Sequence, residues 1–134
     1  MFKKRFGKEK GVFLEVLHLD GFKKELKKLK RHPKEMERCL NIIEHIKLCN
    51  NYEELKNNPL SKRYGFETLK YEMNGYHSFN LCFGGGVIRL ICSVFEDDNI
   101  IRLEYISKKH YEDFKIKLKE KKERRCFIYE KNKI

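Results

Sequence analysis

Three side chains in the second half of the chain could together act on a phosphate group. Arg89 lies within an apolar run, and its planar guanidinium matches the geometry of phosphate oxygens. His110 can exchange protons near neutral pH, because imidazole titrates in that range. Tyr111 could donate a hydrogen bond or stack on a nucleobase. Each also has a structural explanation: an exposed surface arginine, a histidine that begins a helix, and a tyrosine in a helix core stripe.

The element that positions these residues is a predicted antiparallel meander. Three apolar runs, at 76–83, 87–95 and 100–106, are separated by two short turns. The glycines at 84–86 can supply positive φ for the first turn, and Asp98-Asn99 suits the second. We therefore expect the three runs to pair in sequence order.

Alternation within the runs assigns the polar residues to one face, because neighbouring side chains on a strand point to opposite sides. The face expected to cover a core holds Phe79, Leu81, Phe83, Ile88, Leu90, Cys92, Val94, Ile101, Leu103 and Tyr105. The opposite face gathers Tyr76, Ser78, Asn80, Arg89, Ser93, Arg102 and Glu104, with His110 and Tyr111 at its edge. His77 has the parity of the core face. An ordinary half-solvated sheet would show the same pattern.

The residues before the meander predict a strand and two helices. The apolar run at 12–19 predicts a strand buried on much of both faces. Asp20 suits the N-cap of a first amphipathic helix that ends near Arg31, and the lysines around this helix fit a solvated face. Pro33 suits the first turn of a second helix, whose apolar stripe is Met36, Cys39, Leu40, Ile42, Ile43 and Ile46.

The remaining segments are a connection and a terminal helix. Asparagine-rich turn chemistry predicts loops from Lys47 to Gly65. After His110, apolar residues at helical spacing predict a helix with Ser107 as a possible cap. Residues 126–129 could form a further short strand or a segment that docks on a partner.

The length of 134 residues fits one domain, with a basic arm at 1–10, a folded domain at 11–119 and a basic tail at 120–134. Thirty-one Lys and Arg against 20 Asp and Glu give a net charge of +11. This surplus favours an anionic partner. A solubilising surface or an acidic protein partner would fit it as well.

The cysteines predict a reducing compartment. Their number, five, is odd, and no Cys-x-x-Cys pair occurs. We therefore expect free thiols in a cytoplasmic protein. No apolar run is long enough for a signal peptide or a membrane span, and no cluster with metal-ligand spacing is evident, so no metal or cofactor is expected.

The order strand, helix, helix, loop, meander and terminal helix resembles the RelE/ParE family of bacterial toxins. The resemblance covers about residues 12–114. It rests on Phe22-Lys-Lys-Glu-Leu-Lys-Lys-Leu in the first helix, on Leu69-Lys70, on Val87-Ile-Arg-Leu-Ile-Cys in the middle strand and on His110-Tyr111 after the last strand. It implies an α+β fold: a single small domain with two N-terminal helices packed on a twisted antiparallel sheet of about four strands, and a C-terminal helix.

The resemblance also implies a function. Family nucleases cut mRNA in the ribosomal decoding site without a metal, and a cognate antitoxin neutralises them, in some cases within a hetero-oligomer. Another branch, the ParE-like toxins, poisons DNA gyrase. The chain is therefore expected to be a metal-independent mRNA endoribonuclease toxin, and the alternative is a non-catalytic member, either a ParE-like gyrase inhibitor or an inactive relative.

Such a nuclease needs a base for the RNA 2′-hydroxyl, an acid for the leaving oxygen and positive charge beside the phosphorane. The resemblance gives Arg89 the last role and His110 the acid–base role, with Tyr111 beside them. The residues expected to contact RNA are Lys70, His77, Ser78, Asn80, Arg102, Lys108, Lys109 and Phe114. RelE carries two lysines in the first meander strand, and the matching positions here are about Ser78 and Asn80, which supply no charge.

Overall fold

The apolar runs form the centre of a five-stranded sheet. The computed structural model describes residues 13–83 and 85–132. Its strands are β1 (Glu15–His18), β2 (Glu67–Thr68), β3 (Tyr76–Asn80), β4 (Arg89–Phe95) and β5 (Ile100–Ser107), in the order β1-β5-β4-β3-β2. The predicted antiparallel meander is confirmed as β3-β4-β5. The sheet also contains the antiparallel strand β2 and a parallel pair, β1 with β5, so it is mixed rather than purely antiparallel.

Two N-terminal helices precede the meander, as predicted. They are α1 (Asp20–Lys28), which continues into a 3₁₀ turn at Leu29–Arg31, and α2 (Pro33–Lys47). Asp20 is the first helical residue rather than the N-cap, which is Leu19. A carboxylate in this first turn still stabilises the helix, because it lies near the positive end of the helix dipole.

Two short helices replace the loops predicted between α2 and the sheet. They are α3 (Tyr52–Asn57) and α4 (Pro59–Arg63). Asn51 and Asn58 cap them, since their side chains accept hydrogen bonds from the backbone N–H groups of Glu54 and Leu60. Helices of six and five residues are too short to show an apolar period, which is why the sequence indicated only turns.

The main core lies between α1, α2 and one face of the sheet. Its fully buried side chains include Phe22, Leu29, Ile42, Ile46, Phe79, Leu90, Ile101 and Leu103. Burying each such side chain stabilises the fold by about 1.5–3 kcal/mol. Leu40 of the predicted stripe and Phe83 of the predicted core face are instead 48% and 70% exposed.

A second apolar cluster lies on the opposite face of the sheet, which the sequence predicted to be open. It comprises Leu69, Met73, Ile91, Tyr105, Tyr111 and Phe114, and it forms where the first turns of α5 (Glu112–Asn132) pack on the sheet. Tyr105 belongs to this face because the pairing register shifts between Ile91 and Cys92. Glu104 is the additional residue of this bulge, so the alternation predicted for the third run is wrong after Leu103.

The first strand, the C-terminal segment and the turns of the meander each differ from the predictions. The first strand is confined to Glu15–His18 and is only partly buried, because it pairs with β5 alone at the sheet edge. Residues 126–129 lie within α5, so a strand there is wrong. Gly85 and Gly86 do not adopt positive φ, whereas Asn99 in the second turn does, at 56°.

The predicted arm at 1–10 and Gly84 lie outside the described residues, and the predicted tail continues α5 as far as Asn132. Cys39, Cys49, Cys82 and Cys92 are free thiols. Across the described ranges, no helix has both the length and the apolar character that a membrane span requires.

Candidate active site

The hydroxyl of Tyr111 joins two strands on the second face of the sheet. It donates a hydrogen bond to Glu67 Oε1 at 2.9 Å and lies 2.9 Å from Ser78 Oγ. A phenol has one hydrogen, so Ser78 donates to the Tyr111 oxygen. Burial raises the pKa of the Tyr111 phenol, which therefore remains a hydrogen-bond donor at neutral pH. The register pairs Glu67 with Ser78, which brings both within reach of Tyr111.

Glu67 was not identified from the sequence. It lies in a two-residue strand, which is too short to show alternation, and its side chain is exposed. The Glu67 carboxylate accepts a hydrogen bond from Tyr111 while the residue remains exposed. No sequence pattern marks Glu67, because its pairing with the first meander strand is visible only in the folded chain.

Arg89 lies on the face opposite α1 and α2, as the strand parity predicted. Its Nη1 donates to Gly86 O at 2.8 Å, Asn80 Oδ1 at 3.2 Å and Ile88 O at 3.3 Å. These bonds fix the guanidinium, while its Nη2 and Nε have no hydrogen-bond partner among residues 13–83 and 85–132. The Arg89 charge is close enough to Tyr111 to lower its pKa slightly, against the larger effect of burial. Arg89 can therefore offer two further donor nitrogens, Nη2 and Nε, to an anion.

His110 is held beside Tyr111 by an unusual backbone conformation. Its φ is 62°, in the left-handed region, and its backbone N–H donates to Val87 O at 3.1 Å. The His110 and Tyr111 rings meet edge to face, with centroids 4.3 Å apart. A left-handed residue other than glycine costs of order 1 kcal/mol or more, and such positions cluster at functional sites. His110 is exposed, and its ring contact links it to the tyrosine that binds Glu67.

Asn80 and Ser78 support the site from within. Asn80 Oδ1 accepts hydrogen bonds from Arg89 Nη1 and from the backbone N–H of Cys82 at 2.8 Å, so it links the arginine to the loop after β3. Ser78 is fully buried beneath Tyr111. Ser78 is therefore closed to an RNA ligand, whereas Asn80 is partly exposed and positions Arg89.

Two further residues expected to contact RNA are also buried. His77 lies on the other face, stacked on Phe66 with centroids 5.4 Å apart, and its Nδ1 is 3.2 Å from Thr68 Oγ1. Burial lowers its pKa. His77 keeps the core-face parity that the sequence predicted, since it pairs with buried Cys92. Phe114 is 4% exposed and packs on Tyr76 and Tyr105, which matches the packing explanation.

Three cationic residues predicted to contact RNA lie outside the group formed by Glu67, Arg89, His110 and Tyr111. Lys109 is exposed directly before His110, and Lys70 is exposed in the connection from β2 to β3. Arg102 pairs with Glu104 at 3.1 Å, opposite Ser93. Because Ser93 is four residues from Arg89 along β4, Arg102 lies roughly 13 Å from the arginine of the site. The two arginines thus share a face without being neighbours.

The arrangement brings together a carboxylate, an imidazole and a guanidinium around a buried phenol. A carboxylate and an imidazole can act as base and acid, and a fixed guanidinium can stabilise charge that develops on a phosphate. In the part of the chain that the structure describes, no group of three or more His, Cys, Asp or Glu side chains could hold a metal ion.

Comparison with solved structures defines the class of fold. No family model and no curated protein matches the chain. YafQ from E. coli strain BL21(DE3) is 19% identical with a TM-score of 0.50, over 72% of this chain and 93% of YafQ. A YoeB/ParE toxin from Agrobacterium tumefaciens is 14% identical with a TM-score of 0.51, over 71% of this chain and 98% of that toxin. The E. coli DinJ-YafQ complex gives 20% identity and a TM-score of 0.49, over 71% of this chain and 92% of the matched chain.

The chain therefore has the RelE/YoeB/YafQ-like toxin fold that its sequence resemblance predicted. The two matches with the higher TM-scores cover almost the whole of the toxins concerned.

Proposed function

We propose that this chain is the toxin of a toxin–antitoxin pair and that it cuts ribosome-bound mRNA with its own side chains. The observation that carries the proposal is the group formed by Glu67, Arg89, His110 and Tyr111 on one sheet face. The net charge of +11 suits an RNA substrate, because positive charge attracts the phosphate backbone.

The proposed reaction is an internal transfer within RNA. Glu67 takes the proton of the 2′-hydroxyl as the 2′-oxygen forms a bond to the adjacent phosphorus. The bond from phosphorus to the 5′-oxygen breaks, and protonated His110 gives its proton to that oxygen. The products are a 2′,3′-cyclic phosphate and a 5′-hydroxyl. Arg89 donates to the phosphorane oxygens, while Tyr111 holds Glu67 in place.

The partners follow from the fold and from the proposed substrate. YafQ, whose fold this chain shares, is found in a solved complex with DinJ. By analogy, we propose a cognate antitoxin that binds this chain in a hetero-oligomer and is released when the toxin acts. Because its proposed targets are ribosomes and mRNA, we propose that the protein acts in the cytoplasm.

A non-catalytic, ParE-like gyrase inhibitor is the second candidate. The observation that favours it is the polar strand β3, where Ser78 is buried and Asn80 is engaged with Arg89. Neither can supply the charge that RelE carries there. A gyrase inhibitor would stall supercoiling and leave mRNA intact.

Substitution of Arg89 tests the proposal. Arg89→Ala should lower cleavage of ribosome-bound mRNA by roughly two to three orders of magnitude, the usual effect of removing a fixed transition-state donor. Arg89→Lys should restore only part of the activity, because an ammonium lacks the planar fork. Lys24→Ala is the control, since its exposed side chain lies on α1, which packs on the other face of the sheet. Cleavage at the parent rate by a folded Arg89→Ala protein would contradict the proposal.

A further inference from the structure

A single guanidinium on α2 joins three separate segments of the chain at the end of β3. Arg38 Nε donates to the carbonyl oxygen of Asn80 at 2.7 Å, and its Nη2 donates to the carbonyl oxygen of Arg63 at 3.1 Å. These acceptors lie 42 and 25 residues away in the sequence. Arg38 therefore ties α2 to the last residue of β3 and to the last residue of α4.

Two aromatic rings also hold this guanidinium. The Cζ atom of Arg38 lies 5.0 Å from the centroid of the Tyr64 ring and 4.8 Å from that of the Phe83 ring. Both distances are within the range in which a cation is attracted to the face of an aromatic ring. Phe83 is outside the core and 70% exposed, so Arg38 is a partner for an apolar side chain that the core does not take up.

The bond to Asn80 takes the place of a missing strand neighbour. β2 has two residues, and its regular pairing with β3 ends at Ser78, so the edge of β3 at Asn80 has no strand beside it. Unpaired backbone groups at such an edge are open to water or to other chains. Here the Asn80 N–H donates to the Tyr64 carbonyl at 2.8 Å, and the Asn80 carbonyl accepts from Arg38. Both backbone groups of Asn80 are therefore fixed from outside the sheet.

Asn80 transmits this constraint to the candidate active site. Its side-chain Oδ1 accepts hydrogen bonds from Arg89 Nη1 at 3.2 Å and from the backbone N–H of Cys82 at 2.8 Å. Asn80 and Arg89 are also paired in the register of β3 and β4. A shift of the Asn80 backbone would move the oxygen that orients Arg89. Arg38 can therefore act on Arg89 through one intervening residue.

We propose that Arg38 is a positioning residue for Arg89. By fixing Asn80 at the end of β3, it sets the orientation in which the Arg89 guanidinium receives a phosphate. Such a group stabilises developing charge best when its orientation is fixed before the reaction. Arg38 belongs to α2, which packs on the other face of the sheet, so it acts without touching the substrate. The inference rests on the proposed function, because the phosphate is that of the RNA to be cut.

The chain should still fold without the Arg38 guanidinium, because α2 holds α4 at a second point. His45 Nε2 lies 2.7 Å from Ser61 Oγ, and Ser61 is fully buried. His45 is seven residues beyond Arg38 and therefore on the same face of α2. This contact does not depend on Arg38. A variant at position 38 should differ from the parent mainly at the end of β3.

Amide hydrogen exchange tests the hold on Asn80 without any RNA. In Arg38→Ala, the Cys82 amide should exchange about tenfold faster relative to the amides of interior strand β5, which report global unfolding, because its acceptor Asn80 Oδ1 is no longer fixed. Lys47→Ala is the control, since it removes one positive charge from the same helix and only an exposed ion pair with Glu44. Exchange at the parent rate at Cys82 in Arg38→Ala would overturn the inference.

Cleavage kinetics test whether Arg38 acts through Arg89. With Arg89 present, Arg38→Ala should lower kcat by roughly ten- to a hundredfold, because a small displacement of a positioned group has an effect of this size. KM should stay close to the parent value, since Arg38 does not contact the RNA. In the Arg89→Ala background, the same change should lower kcat by less than about twofold. Arg38→Lys keeps one donor for the Asn80 carbonyl and should lose less activity than Arg38→Ala.

The same fall in kcat in both Arg89 backgrounds would indicate a general loss of structure and would overturn the inference. So would a change confined to KM. A parent protein that cuts no RNA would count against the proposed function, whereas the exchange of the Cys82 amide would still decide whether Arg38 fixes Asn80. Normal cleavage by Arg38→Ala, with an active parent, would count against Arg38 alone.

Discussion

Replacing Glu67 with glutamine should abolish most of the activity while leaving the fold intact. The change removes the only carboxylate hydrogen-bonded to Tyr111 in the described ranges and keeps an oxygen that can accept the same 2.9 Å bond. Loss of a general base lowers a rate by roughly two to four orders of magnitude, which corresponds to about 3 to 5 kcal/mol in the barrier. The free energy of unfolding should change by less than about 1 kcal/mol, because Glu67 is exposed and its partner stays paired.

Tyr111→Phe is the matched comparison, because it removes the hydroxyl that holds Glu67 but keeps the ring in the second apolar cluster. A hydrogen bond to a charged group is worth about 1.5 kcal/mol or more, so this variant should lose roughly tenfold in rate. The assay is single-turnover cleavage of mRNA on purified ribosomes, with urea unfolding as the control. The reasoning is refuted if Glu67→Gln cuts at the parent rate, or if Tyr111→Phe is the more damaged of the two.

Three further predictions concern the acid, the pH dependence and the loop beneath the arginine. His110→Ala should cut roughly two to four orders of magnitude more slowly without unfolding, and normal cleavage on ribosomes would exclude its role as the acid. Burial lowers the pKa values of His45 and His77, so the unfolded chain binds protons that the folded chain does not. Stability should be full above about pH 6.5 and fall as the pH drops from there toward the lower folded values, by up to about 1.4 kcal/mol per pH unit for each histidine. A urea midpoint that does not decrease when the pH is lowered from 7.5 to 5.5 would contradict this. So would a His77→Phe variant whose urea midpoint depends on pH as steeply as that of the parent. Gly86→Ala should destabilise the fold by about 1–3 kcal/mol, because the added Cβ would lie 2.2 Å from the Cys82 side chain. Gly85→Ala is the control and should be neutral, because its Cβ would meet nothing within 4 Å.

The sequence predicted the parts of the site that lie on long, regular elements. Strand alternation places Arg89 on the face away from α1 and α2, and the chain order places His110 and Tyr111 at the end of the meander. These predictions succeeded because β4 and β5 are seven and eight residues long, enough for a period of two to be visible.

The parts that could not be predicted depend on short or irregular structure. Glu67 reaches the site through a two-residue strand, which carries no pattern. Tyr105 changes face at a bulge, and nothing in the alternation marks where the register shifts. The helical spacing of Tyr111 and Phe114 indicated a terminal helix, but it could not show that this helix packs on the sheet face that carries the candidate site. Lys108 likewise meets α1 only through tertiary packing, where its Nζ lies 3.7 Å from Glu25 Oε1.

The most direct test of the central claim is the chemistry of the RNA ends produced on ribosomes. The parent protein should release fragments that end in a 2′,3′-cyclic phosphate, with a 5′-hydroxyl on the downstream piece, and Glu67→Gln should release almost none. Fragments that end in a 3′-hydroxyl would contradict attack by the 2′-oxygen. Intact mRNA in the presence of folded parent protein, with gyrase supercoiling stalled by the same preparation, would contradict the nuclease assignment itself.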